Sequence, residues 1–188
     1  MIRLRIKNCG PITEGFDSAD GFMSFGTYTL FVVDQGTGKS TVAKLLSIFS
    51  WLEKALFRGD YDSESFGASD FRGLYKNQLL SDSFSKDTEI EYIGDAYKFF
   101  YKDKIFKAVP NENSINDYYR PKIMYIPSER NILSVVKNID GLENLPPMLS
   151  LLRKRYLQAS AALNNGGEFA LPLSNFQIEV DRTTGETR

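Results

Sequence analysis

Residues 33–41 read VDQGTGKST, from Val33 to Thr41, and set a Gly/Lys/Ser cluster where an apolar run gives way to a helical pattern. That is the chemistry of a phosphate-binding loop. The backbone N–H groups of a glycine-rich turn and the positive end of the following helix converge on an anion, and glycine lets the backbone approach closely. Lys39 is placed to reach the β- and γ-phosphates of a nucleotide, and the Ser40 hydroxyl to ligate Mg2+. The full GxxxxGK[ST] pattern has glycine where this chain has Val33, whereas Gly36 and Gly38 are both in place. At ordinary glycine usage of about 7%, a chance GxGK[ST] in a chain of this length arises roughly once in a hundred sequences.

The flanks carry the order such a loop needs. Residues 27–33 (TYTLFVV) are rich in β-branched and aromatic side chains, which predicts a buried strand. Val42, Leu45, Leu46, Phe49 and Leu52 recur at helical spacing, which predicts a helix opened by Lys39 or Ser40 and ending near Phe57. Upstream, Ile2, Leu4 and Ile6 alternate with Arg3, Arg5 and Lys7, the pattern of a strand with one buried face, and residues 8–11 close it as a turn. Residues 15–26 read as a loop or irregular strand.

Downstream, residues 58–87 are rich in Ser, Asp and Gly and read as an insertion holding one short helix. Residues 89–93, 96–101 and 104–109 are short strands separated by turn signals, which predicts an antiparallel meander. A polar loop over residues 111–117 leads to residues 122–126 (KIMYI), a second predicted buried strand ended by Pro127. Helical patterns cover residues 132–136 and 148–163, the latter with Leu151, Leu152 and Tyr156 on one side. Residues 164–167 break that helix. Residues 175–188 read as one strand of a hairpin and its turn, so the chain is expected to be a fragment of a longer protein. The expected organisation is one lobe over residues 1–188: a strand, loop and helix core (1–57), the insertion (58–87), the meander (88–110), then strand, helices and a cut hairpin (121–188).

Composition narrows the function. The 188 residues suit one domain or the larger part of a bigger one. A net charge of −1 gives the whole molecule no strong attraction to nucleic acid or anionic lipid, while leaving room for a local patch. The single cysteine, Cys9, excludes an internal disulfide. With no histidine, a conventional zinc site is not expected, and Ser/His and Cys/His nucleophilic catalysis are removed. No apolar run approaches a membrane-spanning length, and Met1 leads directly into an alternating strand, so a cytoplasmic setting without a membrane partner is expected.

The order of strand, P-loop helix, antiparallel meander and a strand ending in Ile-Pro resembles the first lobe of ABC-type ATPase heads. More narrowly, IRLRIKNCGPI, GTGKSTVAKLLS and YIPSER resemble the RecF/SMC-like group, especially bacterial ATPases of the overcoming-lysogenisation-defect (OLD) type. The resemblance implies an α/β fold with a P-loop NTPase-type mixed sheet and an antiparallel β subdomain. It implies ATP and Mg2+ as ligands, with Asp34, Gln35, Gly36, Thr37, Gly38, Lys39, Ser40 and Thr41 forming the nucleotide site and Thr41 lying near the α-phosphate. Ser128 falls where the family has a glutamine that contacts Mg2+ and the attacking water, which makes it a catalytic candidate beside Lys39. Alternatively, Pro127, Ser128 and Glu129 simply cap the helix beginning near Asn131. The family also implies a homodimer through its ATPase heads, and DNA or a nuclease as partner.

Two parts of such an ATPase are missing from the sequence. No run of four apolar residues precedes an Asp-Glu pair, and Glu179 and Asp181 alternate onto the exposed face of a strand. Residues 163–168 (LNNGGE) imitate an LSGGQ signature but read better as a glycine turn ending a helix. The expectation is therefore an ATP-binding lobe that depends on a missing lobe for hydrolysis and is inactive alone. A small-molecule kinase and a degenerate P-loop interaction module remain as alternatives, the first lacking a lid motif and the second suggested by Val33. A GTPase is disfavoured because no NKxD motif is present. Lys98, Lys102, Lys104 and Lys107 interleave with aromatic residues, a pattern shared by nucleic-acid surfaces and half-exposed antiparallel sheets, and it reads better as the exposed face of such a sheet. Arg153, Lys154 and Arg155 read as a solvated helix face.

Overall fold

The computed structural model describes residues 1–16, 20–113, 115–136, 139, 141–164, 169–170 and 177–178. It divides into two compact units, Met1–Tyr125 and Ile126–Arg188. The first contains β1 (Ile2–Cys9), β2 (Met23–Phe25), α1 (Lys39–Arg58), α2 (Ala68–Asn77), β3 (Phe84–Ile93), β4 (Tyr97–Lys102) and β5 (Ile105–Pro110). The fold is mixed α/β, and its five-stranded sheet, in the order β2-β1-β3-β4-β5, is antiparallel at every described pairing.

The alternation of β1 is realised in its burial: Leu4 and Ile6 are fully buried, while Lys7 is exposed. The register slips between Lys7 and Cys9, with Asn8 at φ 50°. This bulge resets the phase, so Cys9 rather than Asn8 is buried. Burial pushes the Cys9 thiol up to about 12, far from the thiolate a reactive cysteine needs. The β3, β4 and β5 meander follows the expected strands, with β3 starting earlier, at Phe84. The β4–β5 turn holds Asp103 at φ 51° and Lys104 at φ 60°, the left-handed pair that a two-residue hairpin demands.

Helix α1 covers the inner face of the sheet. Val42, Leu45, Phe49, Leu52 and Leu56 are buried at three- and four-residue spacing. Phe49 stacks on Tyr92 of β3 at 5.2 Å and on Phe99 of β4 at 5.7 Å between ring centroids. Gly59, at φ 78°, ends the helix, with its N–H donating to the Leu56 carbonyl and that of Asp60 to Ala55, a Schellman-type closure. Helix α2 lies within the segment read as an insertion and starts with the Asp70 carboxylate accepting the Gly67 N–H at 2.9 Å. It delivers the buried Phe71 and Tyr75 to the same core.

Two strand expectations are corrected. Residues 27–33 and 122–126 belong to no strand. Tyr28, Leu30 and Val32 are 95%, 86% and 81% exposed, and Met124 and Ile126 are 48% and 56% exposed. An apolar strand buried on both faces needs a neighbour on each side to take up its backbone hydrogen bonds. Among the described residues neither segment has a ladder partner. The mixed sheet expected around the loop is therefore replaced by a wholly antiparallel one beside it.

The second unit contains a 3-10 turn (Ser128–Asn131), α3 (Ile132–Val135), α4 (Pro147–Asn164) and a two-stranded antiparallel pair of β6 (Phe169–Ala170) and β7 (Gln177–Ile178). On α4, Leu152 is buried, while Leu151 and Tyr156 are exposed, so the three do not share a buried side. Arg153 donates to the Leu142 carbonyl, and the Ser150 hydroxyl to that of Leu145 at 3.1 Å. Most of the expected terminal hairpin, including Glu179 and Asp181, and residues 165–168 of LNNGGE lie outside the described residues. Among the described residues no helix is long and apolar enough to cross a membrane.

Candidate functional site

The loop is built by a turn at residues 35–36, a bend at residues 37–38 and the start of α1. Gly36 and Gly38 take φ of 84° and 100°, a region that side-chain-bearing residues avoid. Gly38 is the residue preceding α1, and no side chain caps the helix there. The first intrahelical bond runs from the Val42 N–H to the Gly38 carbonyl at 2.9 Å, which leaves the N–H groups of Lys39, Ser40 and Thr41 without an acceptor in the helix. The first turn holds no acidic residue. A long helix with an uncapped, acid-free N-terminus presents partial positive charge and free donors, a combination suited to an anion.

Lys39 folds back over this turn. Its ammonium donates to the carbonyls of Val33 at 2.9 Å and Asp34 at 2.5 Å, and the Thr37 hydroxyl donates to the Asp34 carbonyl at 2.8 Å. Asp34, Gln35, Gly36, Thr37 and Ser40 are exposed, Lys39 is half-buried, and Gly38 and Thr41 are buried. All eight residues of the expected nucleotide site thus lie on one loop and helix start. Ser128 lies in the second unit. It opens the 3-10 turn without capping it, and its hydroxyl is 3.0 Å from a Glu129 carboxylate oxygen, to which it donates.

The two glycines are required for different reasons. A Cβ on Gly38 would lie 2.7 Å from Ile12 Cγ1 and 3.3 Å from Pro11 Cγ, whereas one on Gly36 would meet nothing within 4 Å. Gly36→Ala should therefore carry only the left-handed backbone penalty, about 1–2 kcal/mol. Gly38→Ala adds a clash with the 9–12 turn and should cost clearly more. Urea unfolding of the two variants checks this, and equal losses would refute the assigned packing of Ile12 on the loop.

A second set of residues was not singled out by sequence. Glu53 of α1 is buried, and its carboxylate accepts the N–H groups of Ala96 at 2.7 Å and Tyr97 at 3.0 Å and the Tyr92 hydroxyl at 3.1 Å. Burial raises its pKa, and the three donors oppose the rise. The signal available in the sequence was a carboxylate interrupting an apolar helical stripe, four residues after Phe49 and three before Leu56. Its place is structural: it fastens the helix that starts after Gly38 to the β3–β4 turn.

No protein-family model, curated protein or solved structure matches this chain.

Proposed function

We propose that the chain is the ATP-binding lobe of an ABC-type ATPase of the RecF/SMC- or OLD-like kind, with hydrolysis requiring a C-terminal lobe that supplies Walker B and signature elements. The observation that carries this reading is the uncapped start of a 20-residue helix beneath two left-handed glycines, with the Lys39 ammonium over the same turn. Gly36, Thr37, Gly38 and Lys39 would hold the phosphates through backbone N–H groups and the ammonium, and Lys39 would exchange its two carbonyl acceptors for phosphate oxygens. Ser40, exposed on the first turn, would contribute its hydroxyl to Mg2+, a cation commonly held by few protein groups plus substrate phosphates. The cation would neutralise charge on those phosphates. The exposed apolar segments at residues 27–33 and 122–126 support the need for a further lobe, because they are rich in sheet-forming side chains and have no strand neighbour among the described residues.

Thermal unfolding with increasing MgATP tests the proposal. A ligand that binds only the folded state stabilises it by about 2.7 kcal/mol at a hundred times its dissociation constant. The midpoint should rise with MgATP, Lys39→Ala should lose that rise, and phosphate release should stay at background. A midpoint unmoved by millimolar MgATP, or a rise retained by Lys39→Ala, would overturn nucleotide binding at this loop. Turnover that Lys39→Ala abolishes would instead show that no further lobe is needed.

A further inference from the structure

We propose that residues 111–113 and 115–121 form a pH-sensitive strap, seated across α1 and the β3–β4 turn at low pH and lifted as Glu53 ionises. Its two ends rest on the two elements that Glu53 joins. At the start, the Asn111 N–H donates to the Ala96 carbonyl and its side-chain amide to the Gly94 carbonyl, both at 2.8 Å. Further on, the Tyr118 ring meets Phe57 of α1 edge-on with centroids 4.9 Å apart, and the Arg120 guanidinium lies 5.4 Å from the same ring centre. The Lys54 ammonium donates to the Pro121 carbonyl at 2.8 Å. Phe57 lies one helical turn beyond Glu53, and the turn that Asn111 holds is the one whose N–H groups the carboxylate accepts. Between these anchors the regular structure among the described residues is one 3-10 turn, Ile115–Asp117, so the strap can lift without breaking the sheet or α1.

The strap covers the carboxylate without giving it a donor. Glu53 is 2% exposed and accepts from Ala96, Tyr97 and Tyr92, whereas the Tyr118 hydroxyl is buried and has no hydrogen-bond partner among the described residues. A stranded buried hydroxyl works against the seated strap, and keeping water from an ionised carboxylate works against it more strongly. The groups around Glu53 act in the same sense. Asp95, on the β3–β4 turn, repels a charge on Glu53, and its own carboxylate takes the Met1 ammonium at 3.2 Å. Tyr92 of β3 and Tyr118 of the strap stay neutral, since burial pushes both hydroxyls above the usual tyrosine range. Lys54, the neighbouring cation on α1, is taken up by the Pro121 carbonyl. With the strap down, Glu53 therefore holds its proton to a higher pH than when water reaches it. Seating is favoured below the ordinary 4.5 and is lost as pH rises through the raised value.

The test is hydrogen–deuterium exchange of the amides of residues 115–120, corrected for their intrinsic rates and followed from pH 4 to pH 7. Strap protection should fall with rising pH by up to about tenfold per unit, the limit for release of one proton, while amides of residues 48–52 in α1 stay protected. Glu53→Gln should hold strap protection level across this range, with an unchanged helical circular dichroism signal to certify its fold. Tyr118→Phe removes the stranded hydroxyl and keeps the ring on Phe57, so it should raise protection about fivefold with the pH trend kept. The proposal is overturned by level strap protection in the wild type, by a pH trend retained in Glu53→Gln, by strap and α1 losing protection in step, or by lowered protection in Tyr118→Phe.

Discussion

Replacing Glu53 by alanine is expected to remove about 3–5 kcal/mol of unfolding free energy, a large share of the roughly 5–15 kcal/mol that holds a domain folded. The carboxylate accepts the Ala96 and Tyr97 N–H groups and also takes the Tyr92 hydroxyl. Each buried donor left without a partner costs about 1–3 kcal/mol, and the truncation adds a cavity. In the wild type a Cβ on Gly94 would run into Glu53 Oε1, which shows how tightly the backbone of the turn is laid on the carboxylate. Glu53→Gln keeps an oxygen for the two N–H groups, and the Tyr92 hydroxyl can rotate to accept from its amide, so it should cost less than about 2 kcal/mol. Urea denaturation of both variants checks the ordering, and equal losses would refute the acceptor role.

The same residue fixes a pH dependence. Burial raises Glu53 above its ordinary 4.5, so the folded chain holds that proton more tightly than the unfolded chain. The associated stability is fully present below about 4.5 and is lost as pH rises through the raised folded value. Wild type should therefore lose stability relative to Glu53→Gln between pH 4 and pH 7. The opposite trend would mean that the three donors outweigh burial.

The glycine turn and the helix after it were legible because their signals are local: Gly36 and Gly38 both take the left-handed conformation that glycine favours, and the helix announces itself by its apolar spacing. The meander was legible for the same reason, alternation and turn residues being short-range signals. Residues 27–33 and 122–126 misled because β-branched and aromatic content measures a segment's demand for burial, whereas a strand forms only where neighbours meet that demand. Glu53 was missed because its meaning lies in donors 43 and 44 residues away, and a charged side chain beside Leu52 reads locally as a solvated helix face. The segment at residues 58–87 read as an insertion because Ser, Asp and Gly dominate it, yet a few aromatic side chains decide where it packs.

Phe71→Ala puts that last point to a test, with an expected loss of about 3–5 kcal/mol. Phe71 is fully buried on α2 and stacks on Phe106 of β5 at 4.6 Å, with Tyr101 of β4 at 5.3 Å and Phe49 of α1 at 5.5 Å. Removing the ring deletes contacts to a helix and two strands at once, and aromatic pairs contribute about 0.5–1.5 kcal/mol each beyond their area. Phe71→Leu refills part of the volume and should cost markedly less. The single tryptophan, Trp51, lies on α1 and edges onto Tyr61 at 6.1 Å, so its fluorescence follows α1 rather than α2. If α2 is part of one cooperative core, the Trp51 denaturation midpoint in Phe71→Ala falls together with the far-UV signal of all the helices. If α2 is an appended flap, the Trp51 midpoint stays at the wild-type value while part of the helical signal melts early, and the central place given to Phe71 is wrong.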